Sequence, residues 1–212
     1  MPRTRRLALV PLVCALVLAA GQPVAQASER SLPETVTVHD SRTSPPLVDV
    51  SKVVLNSSWY YDSEQYVRVK VPHGFRAGHR LTVWFDVDGD STPDGHFDLR
   101  LKEPKKPGGK LLRKVQEFRL GGGWGLGGEL VRCTGSDDFQ PASTEIKGGQ
   151  RTVALALDLW WCVKRSSPTD LTSASWRAAV RVAKGKVSDM APNGRRWSKP
   201  VAGWSPCPPG DC

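Results

Sequence analysis

Short stretches in which apolar and polar residues alternate recur along most of the chain. Val67, Val69 and Val71 are separated by polar residues, so their side chains would share one face of a β-strand. Nine segments are strand candidates on this pattern: 48–55, 66–71, 81–87, 96–102, 112–120, 129–133, 144–147, 153–157 and 176–182. Helical periodicity does not recur, so we predict minimal helix beyond the N-terminal segment.

Glycine and proline clusters separate these candidate strands. Examples are the segments 72–74, 107–109 and 121–123, and such clusters are typical of turns. Short strands with turn signals every 8–15 residues predict an all-β fold, an antiparallel, jelly-roll-like β-sandwich of about eight or nine strands. The absence of a long internal repeat argues against propellers and solenoids.

Residues 1–27 have the layout of a secretory signal peptide. Three arginines precede an apolar run over 7–20, and Ala25-Gln26-Ala27 is a small-residue cleavage signal before Ser28. The run is short for a membrane span, which needs about 20 apolar residues. We therefore predict a secreted protein, with an uncleaved or lipid-linked anchor as the alternative.

Composition and charge narrow the class further. The chain has 212 residues, eight tryptophans and a net charge of +9, and it lacks the composition of a disordered or collagen-like chain. Loss of the signal peptide would remove three arginines and no acidic residue, leaving 185 residues with a charge of +6. We predict a flexible leader over 28–46, a sandwich domain over 47–204 and a Pro-rich tail over 205–212, forming a monomer with no membrane span.

Four cysteines remain after the predicted cleavage, an even number that suits an oxidising compartment. Four cysteines allow three pairings. Cys133 and Cys162 each end a strand-like run, and Cys207 and Cys212 flank a turn-rich segment, so we predict the disulfides Cys133–Cys162 and Cys207–Cys212. Their spacing lacks the paired pattern of a zinc site.

The most specific motif is an acidic loop between two strand candidates. Asp86, Asp88, Asp90 and Asp94 occupy positions 1, 3, 5 and 9 of this loop. Alternating carboxylates can wrap a hard cation, and calcium suits a flexible loop with many oxygen ligands better than magnesium does. An EF-hand requires glycine and glutamate at positions 6 and 12, where this chain has serine and phenylalanine. The alternative is a metal-free, solvated acidic turn.

The loop resembles the hairpin calcium loop of integrin-α-type propeller repeats, D-x-[DN]-G-D-G-x-x-D. The resemblance covers nine residues and one copy, and Ser91 stands where that pattern has glycine. It implies side-chain ligands from the four aspartates and a carbonyl ligand from Thr92.

A wider resemblance concerns secreted β-sandwich proteins of unknown function from high-GC Gram-positive bacteria. It is carried by the signal peptide, the D-x-D-G-D-x-x-P-D loop, a later cysteine pair and the segment Asp189-Met190-Ala191-Pro192. The resemblance implies a fold and a compartment, and it implies no activity.

The segment from Arg100 to Arg119 carries eight basic and two acidic residues. Its net charge of +6 could attract an anionic or glycan polymer; the alternative is a solvated loop that favours solubility. Aromatic residues do not interleave this segment before its last residues, so a stacking platform for single-stranded nucleic acid is not predicted. The candidate polymer-binding residues are Lys105, Lys106, Lys110, Arg113 and Lys114.

The sequence does not predict catalysis. None of the four histidines lies in a nucleophile elbow, an H-E-x-x-H helix or a metal-ligand cluster. Exposed tryptophans could stack on sugars, although packing against neighbouring side chains is the simpler interpretation. We therefore expect a secreted, non-catalytic module with a structural calcium that binds an extracellular or cell-wall polymer or partner. The alternatives are an extracellular polysaccharide hydrolase or lyase, and a purely structural accessory domain.

Overall fold

The structure of the protein is a computed structural model that describes residues 32–40, 45–57, 65–104, 113–131, 142–147, 150–157, 159, 162 and 175–203. All of them belong to one compact unit, Ser31–Cys212. Within these residues the chain forms twelve β-strands. The strands are β1 Thr35–His39, β2 Lys52–Ser57, β3 Gln65–Lys70, β4 His79–Asp86, β5 Gly95–Lys102, β6 Arg113–Leu120, β7 Glu129–Val131, β8 Ala142–Lys147, β9 Thr152–Leu157, β10 Ser175–Lys184, β11 Val187–Ala191 and β12 Val201–Ala202.

The strands form two antiparallel sheets. The first has five strands in the order β1-β2-β3-β9-β8, and the second has the order β11-β10-β4-β5-β6-β7, with β12 paired to the first residues of β10. The chain crosses between the sheets after β3, β7 and β9. The predicted all-β sandwich is confirmed.

Alternation in the sequence becomes alternation between the core and the two outer faces. Val67 and Val69 of β3 are fully buried, and Leu155 and Leu157 of β9 are at most 1% exposed. They join inward residues of the other sheet, such as Val83, in one apolar core. Burial of this shared apolar surface is the main favourable term in folding.

The predicted strand number, eight or nine, is wrong, because three short strands were not recognised. β1 has five residues and lies inside the stretch 28–46, where we expected a leader. β11 and β12 have five and two residues, and both are held by pairing with β10. Alternation over so few residues is a weak signal unless a partner strand is known.

A buried polar chain connects the sheets. The indole Nε1 of Trp176 in β10 donates to Ser57 Oγ of β2 at 2.7 Å, and that hydroxyl donates to the carbonyl of Ala202 at 2.7 Å. Trp176 is only 3% exposed, and a buried indole N–H requires such a partner.

One predicted disulfide residue can be placed. Cys162 is fully buried and disulfide-bonded. Cys133, Cys207 and Cys212 lie outside the described residues, as do the signal peptide and the tail, so the two pairings stay predictions. In the part of the chain that the structure describes, no helix is long and apolar enough to cross a membrane.

Candidate metal centre

The acidic loop connects the end of β4 to the start of β5, two central strands of the seven-stranded sheet. Phe85 and Gly95 are cross-strand partners, and the amide of Asp94 donates to the carbonyl of Phe85 at 2.9 Å, which closes the hairpin. Gly89 and Ser91 have φ angles of 81° and 72°. The left-handed conformation is unfavourable for a residue with a side chain, yet Ser91 adopts it at position 6 of the loop, where the resembled pattern has glycine.

Asp86 is the fixed point of the loop. Its side chain is fully buried. Its Oδ1 accepts from the amide of Gly89 at 2.7 Å, and its Oδ2 accepts from the amide of Ser91 at 3.1 Å. The guanidinium of Arg177, directly opposite on β10, also donates to Oδ2. Asp86 therefore shapes the loop and shares its charge with an arginine.

The other three aspartates also hold backbone amides of the loop. Asp94 Oδ2 accepts from the amide of Val87 at 2.7 Å, and Asp88 Oδ1 accepts from the amide of Asp90 at 3.0 Å. Asp90 Oδ1 accepts from the amide of Thr92 at 2.6 Å. Aspartates in such turns stabilise the local backbone path.

Three of the predicted ligands converge. Asp86, Asp88 and Asp94 each offer one carboxylate oxygen, and these oxygens lie within 4.8 Å of one another. Asp90 is not part of this cluster, and the carbonyl ligand expected from Thr92 stays a prediction. The donors are all oxygen, which fits a hard cation such as calcium.

The electrostatics of the loop favour a cation. Burial, together with the weaker repulsion by Asp88, Asp86 and Asp90, raises the pKa of Asp94 to about 6, although the hydrogen bond from the Val87 amide lowers it. Protonation relieves repulsion among gathered carboxylates, and a divalent cation would relieve it without a proton.

A row of aromatic rings begins at the loop. Trp197 Nε1 donates to the carbonyl of Ser91 at 3.1 Å, and Arg177 lies 5.9 Å from the centre of the Trp197 ring. Trp124 lies 4.7 Å from Trp197 and 5.7 Å from Trp84. The sequence neighbours of Trp84, Val83 and Phe85, belong to the core, so Trp84 itself lies on the outer face of the sheet. Only 2% of Trp84 is exposed. Here the rings pack against one another.

Gly95 follows the loop where two strands approach closely. A Cβ at this position would lie 2.8 Å from the backbone oxygen of Arg119 on β6. The amide of Gly121 also donates to the carbonyl of Asp94 at 2.7 Å. The end of the loop is therefore fixed against β6 and the chain that follows it.

His96 lies one residue further and is fully buried beside Trp84, with 6.3 Å between ring centres. Burial lowers its pKa below the usual range, so the ring is neutral. Among the described residues neither ring nitrogen has a hydrogen-bond partner. His96 is not part of the cluster formed by Asp86, Asp88 and Asp94.

The predicted basic segment is only partly described. Lys105, Lys106 and Lys110 lie outside the described residues, Arg113 begins β6, and Lys114 is exposed. The strand arginines at the two ends of this segment are engaged in ion pairs: Arg100 with Asp98 and Glu117 at 3.2 and 2.5 Å, and Arg119 with Glu117 at 3.2 Å.

Sequence reasoning missed Arg177 and Trp197, which are 91 and 106 residues from their loop partners. The strand order brings Arg177 to the loop, because β10 lies beside β4. Trp197 lies nearby because the amide of the next residue, Ser198, donates to the carbonyl of Ala178 on β10 at 3.0 Å. Compared with protein-family models, curated proteins and solved structures, the chain matches none of them.

Proposed function

We propose that the protein is a secreted, non-catalytic β-sandwich module with a structural calcium in the β4–β5 loop and a surface that binds an extracellular polymer. The observation that carries the calcium proposal is the convergence of the carboxylates of Asp86, Asp88 and Asp94 within 4.8 Å. Secretion rests on the layout of residues 1–27 and on the even cysteine count of the remaining chain.

Charge balance supports a divalent ion. The loop carries four aspartates, and Arg177 supplies one positive charge to them, which leaves a formal charge of −3 when all four are ionised. Asp88 is exposed and can turn toward an ion, while buried Asp86 provides an anchored oxygen. When bound, calcium would reduce this charge to −1 and hold both ends of the hairpin.

The structural role follows from the position of the loop. It joins β4 and β5 in the middle of the seven-stranded sheet, and Trp197 and Arg177 connect it to later parts of the chain. A cation that binds the folded loop better than the unfolded chain stabilises the whole domain by mass action.

The decisive experiment is a thermal melt of the protein lacking residues 1–27, with calcium and with chelator. At free calcium about a hundred times the dissociation constant, the gain is about 2.7 kcal/mol. For a domain of this size the melting temperature rises by about 2–4 °C per kcal/mol. Coincident curves would contradict the calcium proposal, and magnesium in place of calcium is the matched control.

Polymer binding needs a separate test. The protein is incubated with immobilised cell-wall polymers and polysaccharides, and both retention and release of soluble fragments are measured. Retention without fragments supports the proposed function. Fragments would indicate the hydrolase or lyase alternative, and retention by no polymer would leave the accessory-domain alternative.

A further inference from the structure

The outer face of the five-stranded sheet has a composition unlike that of the opposite sheet. Strands β1 to β3 contain three basic residues, Lys52, Arg68 and Lys70, and no acidic residue. Each alternates with core residues such as Val53, Val67 and Val69, so all three lie on the outer face.

These basic side chains differ from the arginines of the other sheet. There, Arg80 pairs with Asp98 at 2.5 Å, and Arg100 and Arg119 share Glu117. Among the described residues, Lys52, Arg68 and Lys70 form no ion pair. Their charge is therefore not compensated within strands β1 to β3, and it can act on an external anion.

A pocket of about 350 Å³ opens on the same face. The residues that line it are Thr35, Val54, Asn56, Tyr66 and Arg68. This volume falls in the range of small-molecule sites. The pocket lies across three neighbouring strands and therefore has a rigid base.

The register explains how the pocket is assembled. Asn56 of β2 is directly opposite both Thr35 of β1 and Tyr66 of β3, and Arg68 is opposite Val54. The amide nitrogen of Asn56 donates to Thr35 Oγ1 at 2.5 Å, which fixes the orientation of the amide. One aromatic ring, one apolar side chain, two polar groups and a guanidinium thus surround one space.

We propose that this face binds an acidic polysaccharide, with one carboxylated sugar in the pocket and the chain passing over Lys52 and Lys70. This inference rests on the proposed polymer-binding function and gives it a ligand class and a site. The guanidinium of Arg68 can hold a sugar carboxylate with two parallel hydrogen bonds. Tyr66 and Val54 provide apolar surface for the carbon face of the ring, and Asn56 and Thr35 provide partners for hydroxyl groups.

The observations favour a saccharide over nucleic acid. Single-stranded nucleic acid is held by a series of aromatic side chains on which successive bases stack, and among the described residues that line this pocket one, Tyr66, is aromatic. A pocket with mixed apolar and hydrogen-bonding walls suits a sugar ring, and the adjacent lysines suit a regularly charged chain.

The test is binding of the protein lacking residues 1–27 to polygalacturonate oligomers, to the same oligomers with their carboxylates reduced to alcohols, and to oligodeoxythymidine. We expect polygalacturonate to bind more tightly than the other two probes, with binding that weakens as salt is added. Arg68→Ala should reduce the affinity by roughly tenfold, the loss expected for a hydrogen bond to a charged group. Arg68→Lys should retain only part of the affinity, because lysine keeps the charge but lacks the two parallel N–H donors of the guanidinium.

Two comparisons locate the site. Arg181→Ala removes an arginine from the outer face of the other sheet and should not change the affinity for polygalacturonate. Tyr66→Ala should lower that affinity more than Tyr66→Phe does.

The outcomes separate the two proposals. Unchanged affinity of Arg68→Ala, equal binding of the reduced oligomers, or tighter binding of oligodeoxythymidine would overturn the inference. If the protein is retained by other wall polymers and not by polygalacturonate, the inference fails and the proposed function stands. If no polymer retains it, both fail.

Discussion

The indole of Trp197 donates its hydrogen bond to the carbonyl of Ser91, the residue with the left-handed backbone in the middle of the acidic loop. The two residues are 106 positions apart. A change in the backbone of the loop therefore changes the surroundings of the Trp197 indole ring.

This contact predicts a fluorescence signal. Calcium binding should change the tryptophan emission of the protein, because the amide of Ser91 donates to Asp86, one of the clustered carboxylates. Trp197→Phe should remove most of the change and lower stability by about 0.5–1.5 kcal/mol, the contribution of one hydrogen bond. The measurement is a calcium titration of both proteins, with chelator as the reference. A full change in Trp197→Phe would contradict the assignment.

The aspartates of the loop should not be equivalent. Asp88 belongs to the carboxylate cluster, and Asp90 does not. Asp88→Asn should therefore lose most of the calcium-dependent rise in melting temperature, and Asp90→Asn should keep most of it. The two substitutions remove the same charge from the same exposed loop, so each serves as the control of the other. Equal losses in both would show that total charge, and not the cluster, governs binding.

Arg177 should matter most when calcium is absent. Arg177→Gln leaves the buried carboxylate of Asp86 with only backbone donors, and the loss of a charged hydrogen bond to a buried group costs about 1–3 kcal/mol. Calcium would supply the missing positive charge, so the cost should be smaller with calcium than with chelator. Urea unfolding in both conditions measures it.

The control for Arg177 is Arg181→Gln on the same strand and the same face. Surface substitutions of this kind change stability by about 0.5 kcal/mol or less. If Arg177→Gln is as mild as Arg181→Gln, Arg177 does not balance the charge of Asp86.

Acid should weaken the ion-pair network on the seven-stranded sheet. Although desolvation by burial opposes the shift, the guanidiniums of Arg119 and Arg100 hold the pKa of Glu117 below its usual 4.5. The unfolded chain then binds a proton more readily than the folded one. The stabilisation by Glu117 is therefore complete above pH 4.5 and is lost as the pH falls through the lower folded value.

The measurement compares Glu117→Gln with the unsubstituted protein by urea unfolding at several pH values. The difference in unfolding free energy should be greatest near pH 7 and should shrink below pH 4.5. Glu129→Gln, an exposed glutamate on β7, is the control and should show no such trend. A difference that persists in acid would mean that the effect of Glu117 is not electrostatic.

The predicted disulfides can be mapped directly. Non-reducing peptide mapping should show Cys133–Cys162 and Cys207–Cys212 and no free thiol. Because Cys162 is fully buried, Cys162→Ala should be more destabilising than Cys212→Ala, within the 2–5 kcal/mol typical of a lost native disulfide in a small secreted domain. A peptide joining Cys133 to Cys207 or Cys212 would contradict the pairing.

The strands with long alternation could be predicted, and those that depend on a distant partner could not. β3 and β9 alternate over six residues, whereas β12 has two residues that form a strand only beside β10. β1 does alternate, through Val36 and Val38, but five residues within the predicted leader are too few to indicate a strand.

Some residues of the candidate site could likewise be predicted from the sequence, and others could not. Spacing within nine residues predicts that Asp86, Asp88 and Asp94 can converge, because a short loop brings its own residues together. Arg177 and Trp197 reach the loop only through the order of strands in the sheet, which one sequence does not specify. The pocket at Tyr66 and Arg68 likewise depends on which strands are neighbours.

The close approach at Gly95 separates two kinds of sequence tolerance in the acidic hairpin. Any side chain at Gly95 would collide with the backbone of β6, so a saturation library selected for folding in chelator should retain glycine there and accept many residues at Asp88. Adding calcium to the selection should restore a preference for aspartate at Asp88 alone. Within one hairpin, the residue that the fold requires can thus be distinguished from the residue that only the ion requires.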